Sequence, residues 1–125
     1  MTSLTEGTDS YVAICLDLDA PYQTLSIISP LIHWLQADLK SSSTGVLASP
    51  NSPIMDWLPV TPPPLSGPHR YTFLLYKQPE NLDKEGLRKT WEGTGMFGRT
   101  RFDIDGFVKE NGLTDMVAAT YFENA

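Results

Sequence analysis

The sequence contains one cysteine, and it shows neither a signal-peptide pattern in its first residues nor a long hydrophobic run. Cys15 is the only cysteine among 125 residues, so no disulfide can form within the chain. A lone thiol in an apolar stretch is typical of a reduced intracellular compartment. No apolar run approaches the ~20 residues that a membrane-spanning helix needs. We therefore expect a cytoplasmic protein whose contact with membranes is peripheral at most.

Basic residues are also scarce. Nine Lys and Arg stand against fifteen Asp and Glu, which gives a net charge of −6. A protein that binds a phosphate backbone normally carries a clustered basic face. The basic residues of this chain are scattered, so the composition argues against nucleic acid as a partner.

Proline and glycine, in contrast, are abundant, with ten and nine copies. They favour short strands joined by ordered loops, and the length predicts one domain. The polar residues 1–10 are expected to form a flexible N-terminus, which leaves residues 11–125 as the folded domain. Residues 40–67 read as a long loop that Trp57 and Leu58 anchor.

Hydrophobic patterning predicts a mainly β protein with one or two helices. Side chains two apart on a strand share a face, so His69, Tyr71 and Phe73 are expected to point the same way. The same rule groups His33 with Leu35 and Ala37, and Asp17 with Asp19 if the first strand extends that far. Strands are predicted at residues 11–18, 33–39, 71–76 and 116–122, and helices at residues 82–91 and 103–111, the second capped by Asp103 and stopped by Gly112.

Three motifs occur in a fixed order. The first is Asp17-Leu18-Asp19-Ala20-Pro21, the second is His33-Trp34-Leu35, and the third is Pro62-Pro63-Pro64-Leu65-Ser66-Gly67-Pro68-His69-Arg70-Tyr71. Together they resemble the signature of the phosphatidylethanolamine-binding protein family, which includes the Raf kinase inhibitor proteins. The resemblance covers roughly residues 10 to 122 and implies a Greek-key β-sandwich with peripheral helices. It also implies a short variant without the usual N-terminal strands, for which a truncated gene model, a minimal variant and an oligomer that covers the gap are the explanations left open.

The resemblance implies a small surface pocket for an anion such as a phospholipid head group. Arg70, between two pocket residues of one strand, should face away and form a structural ion pair. Ile28 stands where some animal members have a phosphate-binding tyrosine, which suits a more apolar ligand. The family motifs place the ligand-binding residues at Asp17, Asp19, Pro21, His33, Pro68, His69 and Tyr71.

The residue types allow the same pocket to bind or to catalyse. Carboxylates close to imidazoles stabilise the charged rings, so binding of an anion is expected to weaken as pH rises through the histidine range. As an enzyme, the chain would use Asp17, His33 and His69 for acid–base chemistry on a small organic metabolite, in a dehydration, isomerisation or cyclisation. A serine hydrolase using Ser66 and a His–Asp metal site are weaker alternatives, because neither has its usual spacing. No cofactor is implied.

Three functions therefore stay open. The first is a binding protein for a small anionic or phosphorylated ligand, with a regulatory role towards a protein partner. The second is an enzyme that acts on a small organic metabolite. The third is an inactive homologue that serves as an interaction surface. Missing strands would leave sheet edges unpaired, so a homodimer is a further expectation.

Overall fold

The computed structural model describes residues 9–19, 30–41, 47–49, 51–58 and 69–124. These residues form one antiparallel sheet of five strands, two α-helices and a short 3-10 helix. In chain order the elements are β1 (Ser10–Asp17), β2 (Leu31–Ser41), β3 (Leu47–Ala48), β4 (His69–Lys77), α1 (Lys84–Trp91), the 3-10 helix (Gly95–Arg99), α2 (Ile104–Glu110) and β5 (Met116–Asn124).

The strand order in the sheet is β3-β2-β1-β4-β5. Three consecutive strands are followed by a fourth that returns beside the first, which is a Greek-key arrangement. The mainly β class with two helices is thus confirmed. The central strand β1 is almost entirely buried, because it lies between β2 and β4 and both of its faces are covered.

One face of the sheet, here called the helix face, carries the larger core. Val12, Ile14 and Leu16 alternate along β1 and pack with Phe102 and Phe107, which lie before and within α2. The opposite face carries Tyr11, Ala13, Leu39 and Val117 as a second, smaller cluster. It is called the histidine face below, because both histidines lie on it.

Both α-helices have an aspartate as their N-cap residue. The Asp83 carboxylate accepts a hydrogen bond from the Gly86 backbone N–H at 3.0 Å, and the Asp103 carboxylate accepts one from the Gly106 N–H at the same distance. Each bond satisfies a donor that the first helical turn leaves without an intrahelical partner. The predicted cap at Asp103 is confirmed, as is the stop at Gly112, whose φ of 67° suits glycine.

Strand β2 departs from the sequence expectation at His33. Cys15 faces Trp34 across the ladder, whereas the next residue, Leu16, faces Ile32. His33 is therefore an extra residue, a β-bulge, and the regular alternation of the strand is interrupted there. The grouping of His33 with Leu35 and Ala37 is wrong for this reason.

Residues 51–58 run along the outer side of β2. Leu35 exchanges backbone hydrogen bonds with Ile54 and Met55, and the Leu58 N–H donates to the His33 carbonyl at 2.8 Å. This part of the predicted loop is anchored, as expected from Trp57 and Leu58.

In the part of the chain that the structure describes, no helix is both long enough and apolar enough to cross a bilayer.

Candidate functional site

The polar residues of the three motifs meet at one end of the sheet. Because neighbouring strands are antiparallel, the C-terminal end of β1 lies beside the N-terminal ends of β2 and β4. Asp17 is the last residue of β1, His33 lies near the start of β2, and His69 is the first residue of β4. His33 and His69, which follow Asp17 by 16 and 52 positions in the chain, are thereby brought into one buried cluster with it.

Asp17 lies between the two imidazoles. Its Oδ2 atom is 2.8 Å from Nδ1 of His69 and 4.0 Å from Nε2 of His33. Its Oδ1 atom accepts the Asp19 backbone N–H at 2.8 Å, which fixes the carboxylate in place. Asp17, His33 and His69 are all at most 3% exposed. The carboxylate therefore hydrogen-bonds one ring and approaches the other without reaching it.

The ring of His33 is held from the opposite side. Its Nδ1 atom lies 2.7 Å from the Leu58 carbonyl oxygen, which can only accept a hydrogen bond. Nδ1 therefore carries a proton, and in the neutral ring Nε2 does not. Nε2 is buried and makes no hydrogen bond within the described part of the chain. Burial lowers the pKa of His33 below its ordinary value, which favours this neutral ring.

The bulge explains why His33 can reach the site. Its ring centroid lies 5.3 Å from that of Tyr71 and 6.0 Å from that of Trp57. The neighbouring Trp34 also contacts Trp57, at 6.5 Å. Two successive side chains of β2 thus lie on the histidine face, which a regular strand does not permit.

Tyr71 completes the cluster on β4. It is buried, its ring stacks on His69 at 6.1 Å, and burial with the nearby Asp17 raises its pKa to about 12. The phenol therefore stays protonated at neutral pH and keeps its capacity to donate a hydrogen bond. His69, Tyr71 and Phe73 share the histidine face, as the period of two predicts.

Asp19 takes part in a different interaction. Asp17 and Asp19 were expected to share a face only if the first strand extended to residue 19. Strand β1 ends at Asp17, so this condition is not met. Both carboxylate oxygens of Asp19 are bound by the Arg70 guanidinium at 2.9 Å, and Oδ2 also accepts the Arg70 backbone N–H. These hydrogen bonds lower the pKa of Asp19. Arg70 forms the expected structural ion pair, with its side chain half exposed.

Sequence reasoning missed Arg99, in the 3-10 helix. Its guanidinium donates to the carbonyl oxygens of Ile32 and His33 at 3.1 and 3.0 Å, and to that of Asp56. It joins the bulge to the segment that carries Trp57 and Leu58. No pattern in the sequence indicates this role, because the contacts are to backbone atoms far away in the chain. Pro21, Ile28, Ser66 and Pro68 lie outside the described residues.

The model of the family described as phosphatidylethanolamine-binding protein matches residues 1–123. The chain belongs to this family. Among the described residues, no group of three His, Cys, Asp or Glu side chains is arranged to hold a metal.

Two curated relatives illustrate the range of the family. The chain is 35% identical to the phomoidride biosynthesis cluster protein N of Talaromyces stipitatus over 99% of its own length and 63% of that protein. It is 31% identical to the carboxypeptidase Y inhibitor of Saccharomyces cerevisiae over 94% of its length and 60% of that protein. The chain thus spans about three fifths of the length of these relatives.

Solved structures agree with this assignment. A carboxypeptidase Y inhibitor complexed with its cognate proteinase superposes with a TM-score of 0.72 and 29% identity, covering 98% of this chain and 62% of that one. A phosphatidylethanolamine-binding protein from Plasmodium vivax gives a TM-score of 0.65 at 14% identity, covering 97% of this chain and 66% of that one. The second likeness concerns the fold alone. Within this family fold, the three motifs of the sequence contribute side chains to the cluster around Asp17.

Proposed function

We propose that the chain binds a small acidic or phosphorylated ligand at the cluster of Asp17, His33, His69 and Tyr71. The observation that carries this proposal is the buried Nε2 of His33, which finds no hydrogen-bond partner among the described residues. A buried polar atom left without a partner costs about 1–3 kcal/mol. A site that keeps such an atom beside a buried carboxylate is suited to a ligand that supplies the missing hydrogen bond.

The protonation of His33 explains how an anion can bind beside Asp17. The neutral ring offers a lone pair at Nε2, so the acidic form of a ligand can donate to it. Transfer of that proton leaves an imidazolium between the ligand anion and Asp17, and both negative charges stabilise it. The protein therefore takes up one proton, on His33, when it binds the anion. Affinity should be highest at low pH and should fall, by at most about tenfold per pH unit, as the pH rises through the histidine range.

The test is NMR of both imidazoles during titration with phosphorylethanolamine and with inorganic phosphate, repeated between about pH 5 and 8. Saturable shifts of both rings are expected, with the larger pKa change on His33. The His33→Gln protein, which still offers a donor to the Leu58 carbonyl, should lose the binding. An Arg88→Gln protein, altered on α1 outside the site, should keep it. Unmoved rings in the folded protein, or affinity that does not vary with pH, would contradict the proposal.

A second candidate function is acid–base catalysis on a small organic metabolite. It is favoured by the difference between the two rings: Nε2 of the buried His33 has no hydrogen-bond partner in the described part of the chain, whereas His69 is hydrogen-bonded to Asp17. One base and one potential acid close together are what proton transfer requires. The relative from a phomoidride biosynthesis cluster makes a metabolite a reasonable substrate class.

Deuterium incorporation distinguishes catalysis from binding. Small keto acids and unsaturated acids would be incubated with the protein in D₂O and followed by proton NMR. An enzyme should exchange an acidic C–H of its substrate, and His33→Gln should abolish the exchange. Binding without any exchange or product would leave the binding function as the sole role of the site.

The carboxypeptidase Y inhibitor, solved with its proteinase, makes a protein partner a further proposal for this chain.

A further inference from the structure

The histidine face continues beyond the polar cluster as a row of aromatic rings. Trp57 contacts His33 on one side and lies parallel to Phe73 on the other, with 2° between the planes and 6.1 Å between the centroids. Phe73 in turn stacks on Phe122 of β5 at 5.8 Å. We call Trp57, Phe73 and Phe122 the aromatic platform. It begins at the polar cluster, since His33 and Tyr71 each touch one of its rings.

The aromatic platform is more exposed than a core would be. Trp57 is 44% exposed and Phe122 is 38% exposed, so two of its three rings present apolar surface to solvent. Aromatic rings on a sheet are most often part of the core, and Tyr11 on the same face is only 2% exposed. Exposed rings grouped beside a polar cluster are typical of a ligand-binding surface.

A shallow hollow follows the platform along the same face. It has a volume of about 300 Å³, and the lining residues that lie on the histidine face are Phe73, Leu75, Ala13, Ala118 and Thr120. The two alanines, on neighbouring strands to either side of β4, leave the space that larger side chains would fill. Among the described residues, no charged side chain lines the hollow. Its size is at the lower limit of small-molecule pockets and suits a ring or a short chain.

We propose that the aromatic platform and the hollow form an apolar subsite, so that the ligand is a compact acid or phosphate monoester bearing an aryl or short acyl group. This inference rests on the proposed function, because the polar cluster is taken to hold the acidic head. The apolar substituent would lie across Trp57 and Phe73 and reach towards Ala118. Trp57, which touches both His33 and Phe73, is then the residue that determines specificity.

The test compares methyl phosphate with phenyl phosphate. Binding is followed by the imidazole resonances and by tryptophan fluorescence. Burying a phenyl group on aromatic rings should make phenyl phosphate bind roughly tenfold tighter than methyl phosphate. Trp57→Ala should reduce this advantage to about twofold or less, because it weakens the binding of phenyl phosphate more than that of methyl phosphate.

Two further variants make the result independent of folding defects. Ala118→Leu fills the hollow without removing a contact and should also abolish the preference for the phenyl ester. Tyr121→Ala is the matched control, because Tyr121 is an aromatic residue of β5 that is 67% exposed. It pairs with Thr72, so it lies on the helix face, and its loss should leave the preference intact.

The outcomes separate the two proposals. Equal affinities for methyl and phenyl phosphate in the wild-type protein would overturn the subsite while the polar site stands. If neither ester moves the imidazole resonances, the proposed function itself fails. A phenyl preference that disappears as the protein self-associates would identify the face as a contact between copies. Sedimentation with phosphatidylethanolamine vesicles that depends on Trp57 would assign the surface to a membrane and would also overturn the subsite.

Discussion

The two histidines differ in what holds each ring. His69 is hydrogen-bonded to a carboxylate, whereas His33 is hydrogen-bonded to a backbone carbonyl and has a buried nitrogen to which no described residue hydrogen-bonds. A carbonyl can only accept, so it fixes the tautomer of His33 without requiring the charged form. Burial then acts against the charge and lowers the pKa of this ring. The difference makes His33 the residue that responds to pH and to ligand.

The first prediction concerns the stability of the ligand-free protein as pH falls. The pKa of His33 is below its ordinary value of 6.5 in the folded state, so the unfolded chain binds the proton more tightly. Stability should therefore fall as pH is lowered from about 7 to 5, by up to about 1.4 kcal/mol per pH unit. Urea unfolding of the wild type and His33→Gln measures this. The variant should show a shallower dependence on pH, and identical slopes would contradict the prediction.

The second prediction separates Asp19 from Asp17. Asp19 is 2% exposed and depends on Arg70 for three hydrogen bonds. In Arg70→Gln, the buried carboxylate keeps the backbone N–H of residue 70 but loses the guanidinium. The free energy of unfolding should fall by about 2–3 kcal/mol, which is less than for a fully buried ion pair because the Arg70 side chain is half exposed. Urea unfolding checks the loss. The folded variant should still bind phosphate at the imidazoles; if it does not, Asp19 belongs to the binding site rather than to its support.

At the level of elements, the site depends on an irregular strand and on the segment beside it. The bulge in β2 brings His33 onto the histidine face, and residues 51–58 supply the carbonyl that orients the ring. Arg99 connects these two parts through three backbone carbonyls. The 3-10 helix therefore supports the site through the side chain of Arg99, its last residue.

The third prediction tests this connection. Arg99→Gln removes most of the donors to the carbonyls of Ile32, His33 and Asp56, so stability should fall by about 1–3 kcal/mol. The imidazole of His33 should also shift in NMR spectra, because the bulge and the Leu58 carbonyl lose their common support. Arg88→Gln is the control: Arg88 donates to the carbonyls of Ser52 and Pro53 but does not touch the bulge. A His33 resonance that both variants leave unchanged would rule out a positioning role for Arg99.

At the level of the whole molecule, β5 forms one edge of the described sheet. It pairs with β4 on one side, and no other described strand lies beyond it. Met116 and Tyr121 on this strand are 48% and 67% exposed. An edge strand with free backbone groups and exposed apolar side chains is a template for pairing with another chain.

The fourth prediction is self-association through this edge. Antiparallel pairing of β5 with its copy would extend the sheet across a two-fold axis. Analytical ultracentrifugation at about 100 μM should detect the dimer, which falls in the concentration range where unpaired edges associate. Tyr121→Lys should shift the equilibrium to the monomer, because a charged side chain on an edge strand opposes pairing. A wild-type protein that stays monomeric at this concentration would contradict the prediction.

Local signals in the sequence were sufficient for most of the elements. The β-branched, aromatic and apolar composition of residues 11–18 and 71–76 predicted β1 and β4, and the spacing Asp103, Ile104, Phe107 and Gly112 predicted α2. These features depend on neighbours within a few residues, so a single sequence contains them. The motif residues Asp17, His33 and His69 could be named in advance because the family motifs contain them.

The sequence by itself determined most of the elements, the family and the residue types of the site. Only the tertiary structure decided what each of those residues does. It showed that the bulge at His33 changes the face of the ring, that Arg70 binds Asp19, and that the Leu58 carbonyl fixes the tautomer. The physical reason is that a periodic pattern records which side of an element is apolar. It does not record which backbone atoms, from distant parts of the chain, will meet a given side chain.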